Sequence, residues 1–215
     1  MKKALMVWGG WDGHTPKESI DRFVPFLTKN GFDVVVKDSL EAYADTSLMS
    51  GLNLIVQCWT MGTLSNEAGA GLNEAVRAGV GLAGWHGGLC DSFRGNIDYQ
   101  WMTGGQFLGH PGNIIDYEVH IENWDDPVTA GIKDFKMKSE QYYMMVEPSN
   151  LVLASAVFDG VHDPLRKGVS MPTVWKRRWG NGKVFFSALG HVAADFDVPE
   201  ARIIMERGLL WAAKS

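Results

Sequence analysis

Hydrophobic positions in the first half of the chain alternate between short unbroken runs and helical stripes. Ala4-Leu5-Met6-Val7-Trp8 is continuous and closed by Gly9-Gly10, the pattern of a strand buried on both faces. Behind it, Ile20, Phe23, Val24 and Leu27 recur at helical spacing as far as Asn30-Gly31, where the helix is expected to stop. Thr15, Pro16 and Glu18 supply a start: an N-cap, a first-turn proline and the glutamate of a capping box. Phe32 to Val36 and Leu52 to Cys58 read as the second and third strands, joined by a loop with a short helix. Ser65 caps a helix that carries Leu72, Ala75 and Val76 and ends at Gly79, and Val80 to Ala83 is a fourth strand. This rhythm predicts right-handed βαβ units and a mostly parallel sheet with helices on both faces.

The second half changes period. Ile114 to Ile121, Phe135 to Lys138 and Leu151 to Phe158 read as strands joined by turns. Pro172 to Arg178 and Lys183 to Ala188 flank Gly180-Asn181-Gly182, a β-hairpin signal because Gly and Asn both tolerate positive φ. A last helix from Pro199 to Ala213 presents Ile203, Ile204, Leu209, Leu210 and Trp211. No repeat or linker divides the 215 residues, so one domain over 1–215 is expected.

Composition narrows the function classes. A net charge of −5 and a pI near 5.7 give no electrostatic footprint for nucleic acid or an anionic membrane, and Lys176-Arg177-Arg178 is too short to supply one. The opening apolar run is shorter than a signal peptide requires, and no stretch approaches the roughly 20 apolar residues of a membrane span. Two cysteines, Cys58 and Cys90, make no disulfide framework, so a cytoplasmic location is expected. Nine tryptophans exceed what core filling needs; they are either sugar-stacking faces or core and interface anchors, the latter compatible with a homo-oligomer.

In an open parallel sheet, ligands bind beyond the carboxyl ends of the strands. The polar residues expected there are Trp11-Asp12-Gly13-His14, Trp59-Thr60, Gly84-Trp85-His86-Gly87-Gly88 and Gly190-His191. Gly84-Trp85-His86-Gly87-Gly88 has the form of a nucleophile elbow, in which glycines permit a strained turn that projects the central side chain. Here that side chain is an imidazole, able to act as acid/base, metal ligand or hydrogen-bond donor, or simply to bond to backbone. His120 and His162 read as structural or surface groups. Gly9-Gly10 and Gly104-Gly105 match no phosphate-binding fingerprint, so no nucleotide cofactor is expected.

Taken in order, Gly84 to Gly88, Gly104-Gly105-Gln106-Phe107 with His110-Pro111, Glu140-Gln141-Tyr142, Pro172-Thr173-Val174-Trp175, and Gly182 to His191 resemble the ThuA (trehalose-utilisation) family. The resemblance runs to Gly208-Leu209-Leu210-Trp211-Ala212. It implies an α/β, flavodoxin-like fold similar to class I glutamine amidotransferases, with His86 where those enzymes carry their cysteine. Cys90, four residues on, reads as a small buried residue, so amidotransferase chemistry is not expected.

The resemblance further implies a pocket made by His14, His86, Glu140, Tyr142 and His191, with His110 nearby. His86, His191 and Glu140 would carry acid/base chemistry; Trp11, Trp59, Trp85, His14, His110 and Tyr142 would bind a small-molecule sugar, a disaccharide or a keto-sugar derivative. His14, His86 and His191 could instead hold a divalent metal such as zinc. Asp126-Pro127 stands where the family often has His-Pro, so no ligand role is carried there. An isomerase, lyase or hydrolase of carbohydrate metabolism, a metal-dependent hydrolase and a non-catalytic sugar-binding or regulatory module all remain open.

Overall fold

The computed structural model describes all of Met1–Ser215. Nine strands form one sheet whose parallel part comprises β1 (Lys2–Gly10), β2 (Phe32–Lys37), β3 (Leu54–Thr60), β4 (Gly81–Trp85) and β11 (Gly182–Ser187). These five lie in the order β2-β1-β3-β4-β11. The antiparallel remainder continues through β10 (Ser170–Trp179), β9 (Leu151–Val157), β6 (Ile114–Ile121) and β7 (Phe135–Glu140). The β10–β11 pair, turning at Gly180-Asn181, is the hairpin its turn residues predict.

Alternation along the buried strands divides the apolar residues between two cores. Ala4 and Met6 face one side with α1 (Pro16–Lys29) and α6 (Pro199–Ala212), through Ile20, Phe23, Ile204 and Leu209. Leu5 and Val7 face the other with α3 (Asn66–Ala78), through Leu72 and Val76. Both faces of the parallel strands are therefore covered, which is why those segments read as continuous apolar runs. No helix is long and apolar enough to cross a membrane.

Three short elements were not anticipated: α5 (Ile97–Thr103) and the pair β5 (Gly105–Gly109) and β8 (Tyr143–Val146), which form a separate two-stranded sheet. Ser65 caps α3 as expected, its hydroxyl accepting from Ala68 N–H. Thr15 stands at the N-cap position of α1, as expected, but its side chain makes no capping bond. The residue adopts φ 44°, ψ 52°, because a 3₁₀ turn at Asp12–His14 feeds directly into the helix, and its hydroxyl accepts instead from the Ala193 N–H, 2.8 Å away.

Two residues of the basic triplet are consumed internally, and Arg178 is exposed. Lys176 is buried against Asp126 and lies over the Trp211 ring, while Arg177 pairs with Glu147 at 3.1 Å. Asp126, the residue given no ligand role, is thus half of a buried ion pair.

Candidate functional site

Three parallel strands deliver one imidazole each. His14 ends the turn after β1, His86 follows β4, and His191 lies in the loop after β11. The first turn is tight: a Cβ on Gly10 would stand 2.1 Å from the Thr60 carbonyl oxygen. His86 is the elbow residue its glycines foretell, with φ 47° and ψ −140°, a conformation a non-glycine residue holds only when its surroundings demand it. They do: a Cβ on Gly87 would come within 2.5 Å of the His14 ring, and one on Gly88 within 2.8 Å of Cys58 Cα, so no side chain but hydrogen fits after the histidine.

Glu140 arrives from an unexpected direction. It ends β7, the outermost strand of the sheet. β6 pairs with β9 only at His120 and Ile121, so the rest of the β6–β7 pair projects as an arm, and its Ile114–Glu140 end carries the carboxylate to the histidines.

The donor atoms of His14, His86, Glu140 and His191 all lie within 4.8 Å of one another. His86 Nε2 is 3.0 Å and His191 Nδ1 3.2 Å from Glu140 Oε2; His110 Nε2 is 3.5 Å from Oε1. His14 Nδ1 lies 2.7 Å from the buried Thr60 hydroxyl. The His86 ring stacks on Tyr142 at 3.8 Å between centroids.

The tautomer of His86 follows from its other nitrogen. Nδ1 is 2.7 Å from the Ala188 carbonyl, which only accepts, so Nδ1 carries the proton and donates. A neutral His86 then turns the lone pair of Nε2 toward the Glu140 carboxylate. Burial favours that neutral form: it lowers His86, against the Glu140 hydrogen bond, and it lowers His14 to about 3, with the neighbouring imidazoles of His86 and His191 acting in the same direction. Burial also opposes ionisation of Glu140, yet the imidazoles of His191 and His86 at its oxygens outweigh it and hold the carboxyl well below its usual range. An ionised carboxylate facing neutral imidazole lone pairs is repulsive unless a proton or a cation lies between them.

One consequence concerns stability of the metal-free protein. His14 titrates near 6.5 when unfolded and near 3 when folded, so between these values the unfolded chain binds more protons. Stability should fall as pH drops through that window, with the lowered Glu140 acting in the same direction. Urea midpoints from pH 7 to pH 4 should decline for the parent and decline less for His14→Gln; equal slopes would remove His14 as the cause.

The cluster opens into a cavity of about 190 Å³ lined by Trp11, Thr60, Met61, Arg94, Phe107 and His110 together with His14, Glu140 and Tyr142. Trp11 is 47% exposed at the rim, with its ring edge-on to His14 at 4.6 Å, and His110 is 31% exposed. Arg94 makes a two-point contact with Asp91, at 2.7 and 2.8 Å. Larger hollows exist, including one of about 570 Å³ between α3 and α5, but the six histidines contribute nothing to it.

Two of the three candidate stacking tryptophans lie elsewhere. Trp85 is 1% exposed and packs against Phe23 and Phe196 at 5.1 and 5.6 Å, because in β4 it points opposite to the site and into the core shared with α1. Trp59 lies against Gly9 and Gly62, bracing the loops beside the cavity without lining it. Thr60, Met61, Asp91, Arg94 and Phe107 were not singled out as cavity residues from sequence; only the strand-end position of Thr60 signalled it. His120 forms a surface pair with Asp134 at 2.9 Å, and His162 packs beside Gly112; neither is a member of the cluster. Cys90 is fully buried with its thiol pushed well up by burial, and Cys58 likewise, so neither is a ready nucleophile.

Three solved structures share this fold across nearly all of the chain. A ThuA-like protein from Bacteroides uniformis ATCC 8492 is 18% identical (TM-score 0.79; 98% of this chain, 91% of that one). One from Parabacteroides merdae ATCC 43184 is 19% identical (TM-score 0.77; 98% and 89%). A cytoplasmic protein from Salmonella typhimurium LT2 is 11% identical (TM-score 0.71; 99% and 100%). No curated protein matches the sequence. The sequence does match the ThuA family, described as trehalose utilisation, over residues 3–212, a description that supports a carbohydrate-related role. With that match spanning nearly its whole length, the chain belongs to the ThuA family.

Proposed function

We propose that this protein is an enzyme of carbohydrate metabolism acting on a disaccharide or keto-sugar derivative at the His14–His86–Glu140–His191 cluster. The observation that carries the reading is that His86 meets an acceptor at each nitrogen, the Ala188 carbonyl 2.7 Å from Nδ1 and the Glu140 carboxylate 3.0 Å from Nε2, so that a cation or a proton belongs between Nε2 and the carboxylate. A structural histidine would not be paid for with a strained backbone, a buried carboxylate and two further imidazoles.

The donor set fits a divalent cation such as zinc. Ligand atoms on a tetrahedral ion with bonds of about 2.1 Å stand about 3.4 Å apart, close to the 3.0 and 3.2 Å contacts at Glu140 Oε2. His86 Nδ1 on a carbonyl and His14 Nδ1 on a hydroxyl are the outer contacts that orient metal-bound imidazoles. When bound, such an ion supplies Lewis-acid polarisation of a sugar carbonyl or hydroxyl. The chain's own residues do the rest: Trp11 and Phe107 offer apolar faces to a sugar ring, and Arg94 and His110 offer donors at the rim. At about 190 Å³ the cavity is smaller than the roughly 300 Å³ at which pockets for drug-sized ligands begin, a size that suits a single sugar ring, with Trp11 at the rim.

A second reading needs no metal. The same 3.0 Å contact suits a proton shared between imidazolium His86 and carboxylate Glu140, an acid/base pair within reach of a bound sugar. Either version favours an enzyme over a passive binding module, whose ligand would need no such pair.

Thermal-shift titrations with disaccharides and their keto forms test the sugar reading, since a ligand that binds only the native state raises its melting temperature. At least one is expected to raise Tm by several degrees in the parent and not in Trp11→Ala. A screen in which no sugar shifts the parent would refute it.

A further inference from the structure

The loop after β11 touches every element that supplies the cluster. The Ala188 carbonyl accepts from His86 Nδ1, and His191 is itself a member. The Ala193 N–H donates to the Thr15 hydroxyl, next in sequence to His14. Asp195 Oδ2 accepts both from the Ser139 hydroxyl at 2.5 Å, next to Glu140, and from the His191 N–H at 2.9 Å. Eight residues thus tie together three strand ends and the outer arm, which otherwise have no common neighbour in the sheet order. This also accounts for two local oddities. Thr15, at the N-cap position, gives its hydroxyl to Ala193 in place of a capping bond, and a carboxylate 9% exposed is retained where it makes no ion pair.

We infer that Thr15 and Asp195 are positioning residues, which set the spacing of the four donor groups by anchoring the segment 188–195 to the elements carrying His14 and Glu140. The inference rests on the cluster's being the functional site, and neither residue contacts the cavity. Thr15 fixes His14 against the segment. Asp195 fixes the approach of Glu140 to His191, because one oxygen holds both neighbours.

The test uses four variants and two readouts. Thr15→Ala and Asp195→Ala remove a tie; Thr15→Ser keeps the hydroxyl, and Asp195→Asn keeps an oxygen with two lone pairs. Zinc affinity, measured by competition with a chromophoric chelator, should fall about 10- to 100-fold in each alanine variant, the usual cost of losing an outer-shell contact, and return to near parental in the conservative ones. Long-range proton–nitrogen NMR spectra of the metal-free imidazoles should show the His14 ring resonances moving in Thr15→Ala and those of His191 in Asp195→Ala, with both unmoved in the conservative variants. Should Asp195→Ala not fold, Ser139→Ala cuts the half of that tie that holds Glu140, leaving the His191 N–H on Asp195, and is read by the same two measurements. A parent that takes up no zinc sinks the metal reading alone, and the spectra then decide the positioning roles. Unmoved ring resonances in the folded alanine variants, or a conservative variant as impaired as its alanine counterpart, overturn the inference.

Discussion

His86→Ala is expected to abolish metal and sugar binding while the protein stays folded, and His86→Gly to do the same with a higher melting temperature than the alanine variant. Both remove Nε2 from the 3.0 Å contact with Glu140 and Nδ1 from Ala188, so binding should weaken by at least about 100-fold, beyond what loss of an outer contact costs. They differ in the backbone. At φ 47° and ψ −140°, alanine keeps the strain that histidine bears, on the order of 1–3 kcal/mol, whereas glycine relieves it. Differential scanning calorimetry of the pair therefore reads stored strain directly. Equal melting temperatures would mean that the elbow is not strained, and retained binding in either would remove His86 from the site.

Trp85→Ala, one residue earlier, should behave in the opposite way. The ring is 1% exposed and packs edge-on or tilted against Phe23 and Phe196 under α1. Truncating a buried aromatic of this size costs about 3–5 kcal/mol, from lost transfer energy and the cavity left behind. For a chain of this length that corresponds to a fall in Tm of roughly 6–20 °C. Below the transition, folded Trp85→Ala should bind sugar with near-parental affinity. An affinity loss without a stability loss would restore Trp85 to the ligand face.

That contrast between neighbours shows what could be read in advance. Gly84, Gly87 and Gly88 around His86 forecast a strained elbow, since only glycine permits such close backbone approaches, and the distances at Gly87 and Gly88 bear this out. The βαβ rhythm forecast β1 to β4 as parallel strands, and strand-end position marked His14, His86 and His191, although the strand before His191 was read only as half of a hairpin and also pairs parallel to β4. Glu140 was reached only through the family resemblance, because nothing in the pattern of Phe135 to Lys138 reveals that the strand belongs to an arm that leaves the sheet. The tryptophans misled because a residue before the elbow alternates to the far side of its strand, and strand-end position alone does not fix which face a side chain takes. Thr15 misled for a related reason. Its local sequence favours a cap, and a tertiary partner 178 residues away won the hydroxyl.

β5 and β8 escaped because Gln106, Leu108 and Met145 give their segments no clean period, their register being set by pairing with each other. Phe107 in β5, together with Arg94 from the turn before α5, completes the cavity wall.

A cation or a proton among His14, His86, Glu140 and His191 is what lets these groups face one another, and metal analysis distinguishes the two most directly. Elemental analysis of protein as purified, followed by zinc titration of chelator-treated protein, should give one divalent ion per chain and less than a tenth of that in His86→Ala. A parent that neither carries nor takes up a divalent ion would contradict the metal centre and leave the four groups to act through protons alone.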